Sequence, residues 1–130
     1  NTYGYKTKLI FRHFPAESIH PGATKLSQIA ACAHSQGKYW GVHNYLFTKQ
    51  DLLPVYLESE DLVSLANDTG LELDKLKKCV DSSLTVQKVN RDYADGFRFG
   101  VGGTPTFFVN GKKIEGIVPW ETWEKYIKAL

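Results

Sequence analysis

Residues 102–111 read Gly-Gly-Thr-Pro-Thr-Phe-Phe-Val-Asn-Gly, and this stretch carries the strongest fold signal in the chain. Its middle, Thr106–Val109, is a short apolar run rich in β-forming side chains, which predicts a buried strand. The following Asn110 and Gly111 are typical of a two-residue hairpin turn, because both residue types tolerate positive φ. We therefore predict that the chain turns back here and continues as a second strand over 112–115.

Pro105 stands at the start of this predicted strand, where it has no backbone N–H to donate. One explanation is a tight turn with a cis Thr104-Pro105 bond, which would present the Thr104 backbone at the edge of the sheet. An extended peptide could then pair with that backbone by strand addition. The alternative is an ordinary trans proline, which the residues alone favour because only about 5–6% of X-Pro bonds in folded proteins are cis.

Upstream of the hairpin, apolar spacing predicts one strand and then a series of helices. The run from Lys8 to Phe14, closed by Pro15, is short and rich in β formers and predicts a strand. Intervals of three and four between apolar residues then predict about five helices, and Pro119 suits the first turn of a last one. The landmarks of the intervening helices are Ala23 to Gly37, Trp40 to Phe47, a Ser59 N-cap with a stop at Gly70, an Asp74 cap, and Val86 to Gly100. On the second of these, we expect His43 to occupy a core or boundary position on one stripe with Trp40 and Phe47.

Composition is that of one ordinary soluble globular domain, with 130 residues of which 42% are hydrophobic and 23% charged. The net charge of +2, without a cluster of Lys or Arg, argues against a nucleic-acid surface. No run approaches the roughly 18–20 apolar residues that cross a membrane. The sequence contains no methionine, so we expect that it begins at a processed, trimmed or truncated end.

The chain has two cysteines, Cys32 and Cys79, which are too far apart for a Cys-x-x-Cys motif. No His or third Cys stands at metal-ligand spacing from them, so no metal site is predicted. Two free buried thiols, a structural disulfide between helices and a single reactive thiol all remain possible. The reactive thiol is the weakest of these, because neither cysteine has an obvious base or helix N-terminus beside it.

Several segments together resemble the DsbA-like family of thiol–disulfide oxidoreductases, within the thioredoxin superfamily. They are GVGGTPTFFVNGKKIEG (100–116), PWETWEKYIKAL (119–130), KLIFRHFP (8–15) and QGKYW (36–40). The resemblance implies an α/β, thioredoxin-like fold with an inserted helical domain. In that fold, 1–15 and 100–130 would supply the thioredoxin-like sheet elements and the C-terminal helix. Residues 16–99 would supply the inserted helical region and the connecting helix.

The resemblance also implies roles for individual residues. Pro105 would be the family's cis-proline, and Thr104 with Pro105 would bind the backbone of the substrate. The family's first core strand and its Cys-x-x-Cys helix have no counterpart here, so the resemblance assigns no catalytic residue to this chain. It favours a structural disulfide between Cys32 and Cys79, and it implies neither a metal nor another cofactor.

The absent strand would lie between the predicted strand at 8–14 and the one at 106–109. Without it, the first loses its partner and the second gains an exposed edge, which invites pairing with another chain. We therefore expect the gap to be filled by an N-terminal segment outside these residues or by a swapped copy of the same chain. Other expected partners are cysteine-containing polypeptide substrates and a redox partner protein.

The main hypothesis is thus an extracytoplasmic DsbA-like enzyme that exchanges disulfides with cysteine-containing polypeptides, in the periplasm, secreted or tethered to a membrane. Its catalytic Cys-x-x-Cys would lie outside this chain, and the chain alone would be inactive. The alternative is a non-catalytic thioredoxin-like module that binds peptides or a partner protein. A glutathione-dependent enzyme of the same superfamily ranks last, because no residue marks a glutathione site.

Overall fold

A computed structural model describes residues 3, 4 and 6–130 and shows a mixed α/β chain, which confirms the predicted class. The order of elements follows the prediction except for the first strand. The elements are α1 (Ala23–Ser35), α2 (Tyr39–Lys49), α3 (Ser59–Thr69), α4 (Leu73–Val80), α5 (Ser83–Arg98), β1 (Thr106–Val109), β2 (Lys112–Glu115) and α6 (Trp120–Lys128).

The chain forms two compact units. The helical unit comprises residues 13–94, and the hairpin unit comprises residues 1–12 together with 95–130. The domain bounds proposed from the sequence, 1–15 with 100–130 and 16–99, stay a prediction.

The core of the helical unit is built from apolar side chains that recur every three or four residues along its helices. Ile29, Cys32 and Ala33 of α1 are 0% exposed, and so is Leu76 of α4. Burial of each large aliphatic side chain contributes about 1.5–3 kcal/mol, so these positions fix how the helices pack. The remaining core residues are Ala30, Val42, Leu46, Leu62, Leu65, Ala66, Leu71 and Val80.

The inner face of α2 differs from the predicted one. Val42 and Leu46 are its buried residues, whereas Trp40 is 47% exposed and Phe47 is 61% exposed. The partly buried His43 ring lies between them, with centroid distances of 5.2 Å to Trp40 and 4.8 Å to Phe47. The predicted core stripe was therefore wrong for the two large rings. This helix carries two apolar stripes, and helical spacing alone does not show which one turns inward.

The N-terminal caps of α3 and α4 lie one or two residues before the predicted ones. Glu58 rather than Ser59 caps α3, in a reciprocal arrangement in which the Glu58 N–H donates to Asp61 Oδ2 at 2.8 Å. This box satisfies two backbone donors, whereas a serine cap alone would satisfy one. Glu72 occupies the cap position of α4, and Asp74 falls in its first turn.

Two side chains join the α1–α2 connection directly to the α3–α4 connection. Gln36 accepts a hydrogen bond from the Glu72 N–H at 2.8 Å through Oε1 and donates to the Glu72 carbonyl at 3.4 Å through Nε2. Lys38 Nζ donates to the carbonyl of Gly70, the left-handed residue that ends α3. The QGK segment therefore ties the α1–α2 connection to the α3–α4 turn.

The start of α1 has a cap that the sequence did not predict. Glu17 lies several residues before the helix, and its carboxylate accepts the N–H of Gly22 at 2.7 Å and the N–H of Thr24 at 2.8 Å. These backbone hydrogen bonds hold the pKa of Glu17 below its ordinary value of 4.5. The carboxylate thus satisfies the N–H of Thr24, one of the first-turn amides that have no backbone acceptor within the helix.

We expect Glu17→Gln to lower the free energy of unfolding by about 1 kcal/mol at neutral pH, because the neutral amide is a weaker acceptor for both amides. The folded-state pKa lies below the unfolded value, so this contribution is present above pH 4.5 and is lost as the pH falls through the folded pKa. Urea unfolding at neutral and acidic pH measures the difference. Glu60→Gln, in the first turn of α3, is the control and should change stability by less than about 0.5 kcal/mol. An equal loss in both variants would contradict the capping role.

Residues 7–16 form no regular secondary structure, so the strand predicted over Lys8–Phe14 was wrong. A strand is held by backbone hydrogen bonds to a neighbouring strand. Within residues 3, 4 and 6–130 the two strands pair with each other, and neither lies beside this segment. Leu9 is accordingly 69% exposed. The His13 N–H instead donates to the buried carboxylate of Asp92 at 3.1 Å, within the helical unit.

The hairpin unit contains the antiparallel pair β1 and β2, joined by the predicted two-residue turn. Asn110 has φ 47° and Gly111 has φ 86°, so both occupy the left-handed region that this turn requires. Val109 pairs with Lys112 next to the turn. On one face of the hairpin, the Phe107 ring packs edge-on against Trp123 of α6 at 4.6 Å between centroids.

No helix within the described residues is both long and apolar enough to cross a membrane.

Candidate functional site

The residues predicted to bind substrate lie immediately before β1. The peptide bond between Thr104 and Pro105 is cis, and both side chains are exposed. Two hydrogen bonds hold the surrounding turn: Thr106 Oγ1 donates to the Gly103 carbonyl at 2.7 Å, and the Gly116 N–H donates to the Pro105 carbonyl at 2.8 Å. The structure therefore fixes the backbone on both sides of Thr104.

The bond from Gly116 to Pro105 also sets the direction of every backbone group along β1. In an antiparallel pair, alternate residues point their N–H and C=O groups to opposite edges. Pro105 faces β2, and hence so do Phe107 and Val109. The backbone groups of Thr106 and Phe108 then form a row on the other edge, and Thr104 precedes this row across the cis bond to Pro105. We call this row the outer edge of β1.

The outer edge of β1 has no strand beside it within the described part of the chain. Among those residues, neither the N–H nor the carbonyl of Thr104 takes part in a backbone hydrogen bond. Exposed backbone donors and acceptors in a row form a template for an additional strand. The arrangement can therefore accept an extended polypeptide along Thr104, Thr106 and Phe108.

Two exposed aromatic rings lie beside this edge. Phe108 is 48% exposed and Phe99 is 60% exposed, and their ring centroids lie 6.4 Å apart. The charged residues of the hairpin lie on β2, where Lys113 Nζ is 2.9 Å from Glu115 Oε1. Lys113 Nζ also donates to the Gly100 carbonyl at 2.9 Å, which ties the segment before Thr104 to the hairpin. An incoming strand would thus meet two exposed aromatic rings, with the Arg98 guanidinium carbon 5.3 Å from the centroid of the Phe99 ring.

The two cysteines form a disulfide bond between α1 and α4, with their Cα atoms 5.8 Å apart. Neither Cys32 nor Cys79 is a free thiol. Both belong to the helical unit, whereas Thr104 and Pro105 belong to the hairpin unit. The structure thus shows two features in different units: the exposed Thr104 and Pro105 before β1, and a disulfide in a helical core.

Thr85 is a polar neighbour of this disulfide that sequence reasoning missed. It is 8% exposed, and its Oγ1 lies 3.3 Å from Cys79 Sγ and 3.8 Å from Cys32 Sγ. The hydroxyl donates to the Cys79 carbonyl at 2.9 Å. No spacing rule points from Thr85 to Cys32, because the contact arises only when separate helices pack. By contrast, the outward row on β1 could have been deduced from the two-residue period of a strand.

Groups of three or more His, Cys, Asp or Glu side chains able to hold a metal ion do not occur in the part of the chain that the structure describes.

Comparison with known proteins identifies a family and several curated relatives. A family model described as Thioredoxin matches residues 2–129. The curated protein Na(+)/H(+) antiporter NhaA of Herminiimonas arsenicoxydans is 32% identical over 114 residues, which are 88% of this chain and 17% of that protein. Na(+)/H(+) antiporter NhaA 1 of Mycolicibacterium gilvum is 33% identical over 130 residues, covering 98% of this chain and 20% of that protein.

Na(+)/H(+) antiporter NhaA 3 of Salinispora tropica is 31% identical over 109 residues, which are 84% of this chain and 16% of that protein. The chain therefore spans a fifth or less of the length of these relatives. No solved structure matches the chain.

Proposed function

The chain belongs to the thioredoxin family, and on that premise we propose that it is the polypeptide-binding part of a DsbA-like thiol–disulfide oxidoreductase. Thr104 and Pro105 hold a cysteine-containing polypeptide in extended form. The reacting Cys-x-x-Cys pair is supplied from outside these 130 residues. In the exchange step, a thiolate bonds to one sulfur of a disulfide while the other sulfur leaves with the bonding electron pair.

The observation that carries this proposal is the outer edge of β1. Thr106 and Phe108 present their backbone groups on this edge and Thr104 lies directly before the strand, so a bound segment gains several backbone hydrogen bonds that do not depend on its side chains. This suits an enzyme that must accept many unfolded polypeptides. The exposed Phe99 and Phe108 rings favour segments with apolar side chains next to the cysteine.

We further propose that the domain functions outside the cytoplasm and as part of a larger protein. The disulfide between Cys32 and Cys79 supports the first point, because disulfides persist in oxidising compartments. The lengths of the relatives support the second point, because the domain matches a fifth or less of each of them. These relatives are named Na(+)/H(+) antiporters. A thioredoxin-like domain attached to an antiporter would place thiol exchange beside the membrane protein.

The second candidate function is a non-catalytic module that binds polypeptides or a partner protein. The observation in its favour is that both cysteines of the sequence are joined to each other, so these residues supply no free thiol. Insulin reduction by the longer protein that contains this domain separates the two functions. Reduction by that protein supports the oxidoreductase, whereas polypeptide binding without thiol exchange supports the module.

Binding itself is testable on the 130-residue chain. We expect reduced and alkylated insulin B chain, which cannot exchange disulfides, to shift the amide NMR signals of Thr104, Thr106 and Phe108. Thr104→Pro removes one backbone donor and should weaken binding about fivefold, the effect of one net hydrogen bond. Thr104→Ser keeps that donor and is the matched control.

Circular dichroism establishes that both variants are folded before their binding is compared. Shifts confined to other parts of the chain, or equal weakening in the proline and serine variants, would contradict pairing along this edge. If the proline variant does not fold, the shifts of the Thr104, Thr106 and Phe108 amide signals in the unsubstituted chain still decide whether the peptide binds along this edge.

A further inference from the structure

The two cysteines of the disulfide differ in their exposure to solvent. Cys32 lies in the middle of α1 and is 0% exposed, among the most deeply buried side chains of the core. Cys79 lies in the last turn of α4 and is partly exposed. A thiolate that cleaves a disulfide must reach one of the two sulfurs, and access governs which one it attacks. The fold therefore favours attack on Cys79 Sγ over attack on Cys32 Sγ.

The surroundings of Cys32 also suit a sulfur that leaves. Cleavage at Cys79 releases Cys32 as a thiolate inside the core, where a charged group without a polar neighbour is costly. Thr85 Oγ1 lies 3.8 Å from Cys32 Sγ, within the range of a hydrogen bond to sulfur. Its proton is directed to the Cys79 carbonyl in the intact disulfide. Rotation of the hydroxyl would turn the same proton to the released sulfur.

The partial exposure of Cys79 restricts the attacking molecule to a small one. Cys79 packs against the core and is followed by the buried Val80, so only part of its surface is open to an attacking thiol. A low-molecular-weight thiol such as glutathione needs only a narrow approach. Lys78 directly precedes Cys79 in the sequence and is exposed. Its positive charge does not repel an anionic thiol.

We propose that low-molecular-weight thiols modify this protein at Cys79, by attack on Cys79 Sγ and not on Cys32 Sγ. The sulfur of the thiolate bonds to Cys79 Sγ, the bond between the two cysteines breaks, and its electron pair leaves on Cys32 Sγ, which then takes a proton from solvent. A second thiol can attack the sulfur of the bound small molecule. That step releases Cys79 as a thiol, and the two small thiols leave as their own disulfide. This site is independent of the polypeptide edge at Thr104, and the proposal does not rest on the proposed function.

The test is to map the mixed disulfide formed when the folded chain is treated with excess glutathione. Acid quenching, followed by alkylation of all thiols with N-ethylmaleimide in denaturant, traps the products. Tandem mass spectrometry then counts glutathione on each cysteine. We expect about tenfold or more glutathione on Cys79 than on Cys32, with the maleimide on Cys32.

The same reaction in guanidinium chloride is the control, because both sulfurs are accessible in the unfolded chain and the preference should disappear. Equal labelling of the two cysteines in the folded chain would overturn the proposal. So would an excess on Cys32, or a mixed disulfide that forms only under unfolding conditions.

A pair of variants tests the leaving sulfur separately. Thr85→Val removes the hydroxyl while keeping the shape of the side chain, and should slow the reduction by glutathione about fivefold, the effect of one hydrogen bond. Thr85→Ser keeps the hydroxyl and should react at close to the original rate. Equal rates in both variants would overturn the stabilisation of the leaving sulfur by Thr85.

Discussion

A chain that carries Cys32→Ala together with Cys79→Ala should lose about 4 kcal/mol of its free energy of unfolding. The disulfide joins residues 47 positions apart and so restricts most of the helical unit in the unfolded state. Removal of this restriction gives the unfolded chain back its conformational entropy, while the helices lose one covalent link. Since small domains are stable by only about 5–15 kcal/mol, we expect the variant to be close to its limit of stability.

Unfolding in guanidinium chloride without reductant measures this loss directly. The informative control is a reductant added to both proteins. It should lower the stability of the original chain to near that of the double variant, and it should leave the variant unchanged. A loss below about 1 kcal/mol would mean that core packing alone holds the helical unit. If the reductant lowered the stability of the double variant as well, its effect on the original chain could not be assigned to this disulfide.

Leu76→Ala should cost about 2–5 kcal/mol, comparable to loss of the disulfide. Leu76 is 0% exposed and faces the core from α4, so alanine leaves a cavity that the surrounding helices can fill only in part. Leu84→Ala is the matched control, because Leu84 lies near the start of α5 and is 72% exposed. The control should change stability by less than about 0.5 kcal/mol.

The two leucine variants share one chemical change and differ only in burial, so the difference in their urea midpoints reports core packing. Similar midpoints for Leu76→Ala and Leu84→Ala would contradict the packing of α4 described above. If Leu76→Ala does not fold, Leu76→Val provides a smaller change of about 1 kcal/mol in the same direction.

Local signals were sufficient where the structure depends on neighbouring residues in the chain. The hairpin follows from Asn110 and Gly111, because few other residues accept positive φ without strain. The five helices before it follow from three- and four-residue apolar spacing and from the left-handed stop at Gly70. The cap of α3 was displaced by one residue, since Glu58 and Asp61 satisfy each other's backbone groups.

Local signals failed where a partner from elsewhere in the chain decides. The run from Lys8 to Phe14 has the composition of a strand, yet no strand pairs with it within the described residues. The stripe of Trp40 and Phe47 has helical spacing, yet Val42 turns inward instead. In both cases the pattern specifies a preference of the segment, and the environment supplied by other segments determines the outcome.

The sequence by itself determined the helices and the hairpin, because each rests on backbone preferences or on spacing within one segment. The residues alone favoured a trans Thr104-Pro105 bond, whereas the structure shows it cis, as the family resemblance implied. Only the tertiary structure decided that Cys32 is buried while Cys79 is partly exposed, and that Thr85 lies beside both sulfurs. It also revealed the cap that Glu17 provides for α1. These contacts join residues from different segments, and their distances are set by how the helices pack rather than by any interval along the chain.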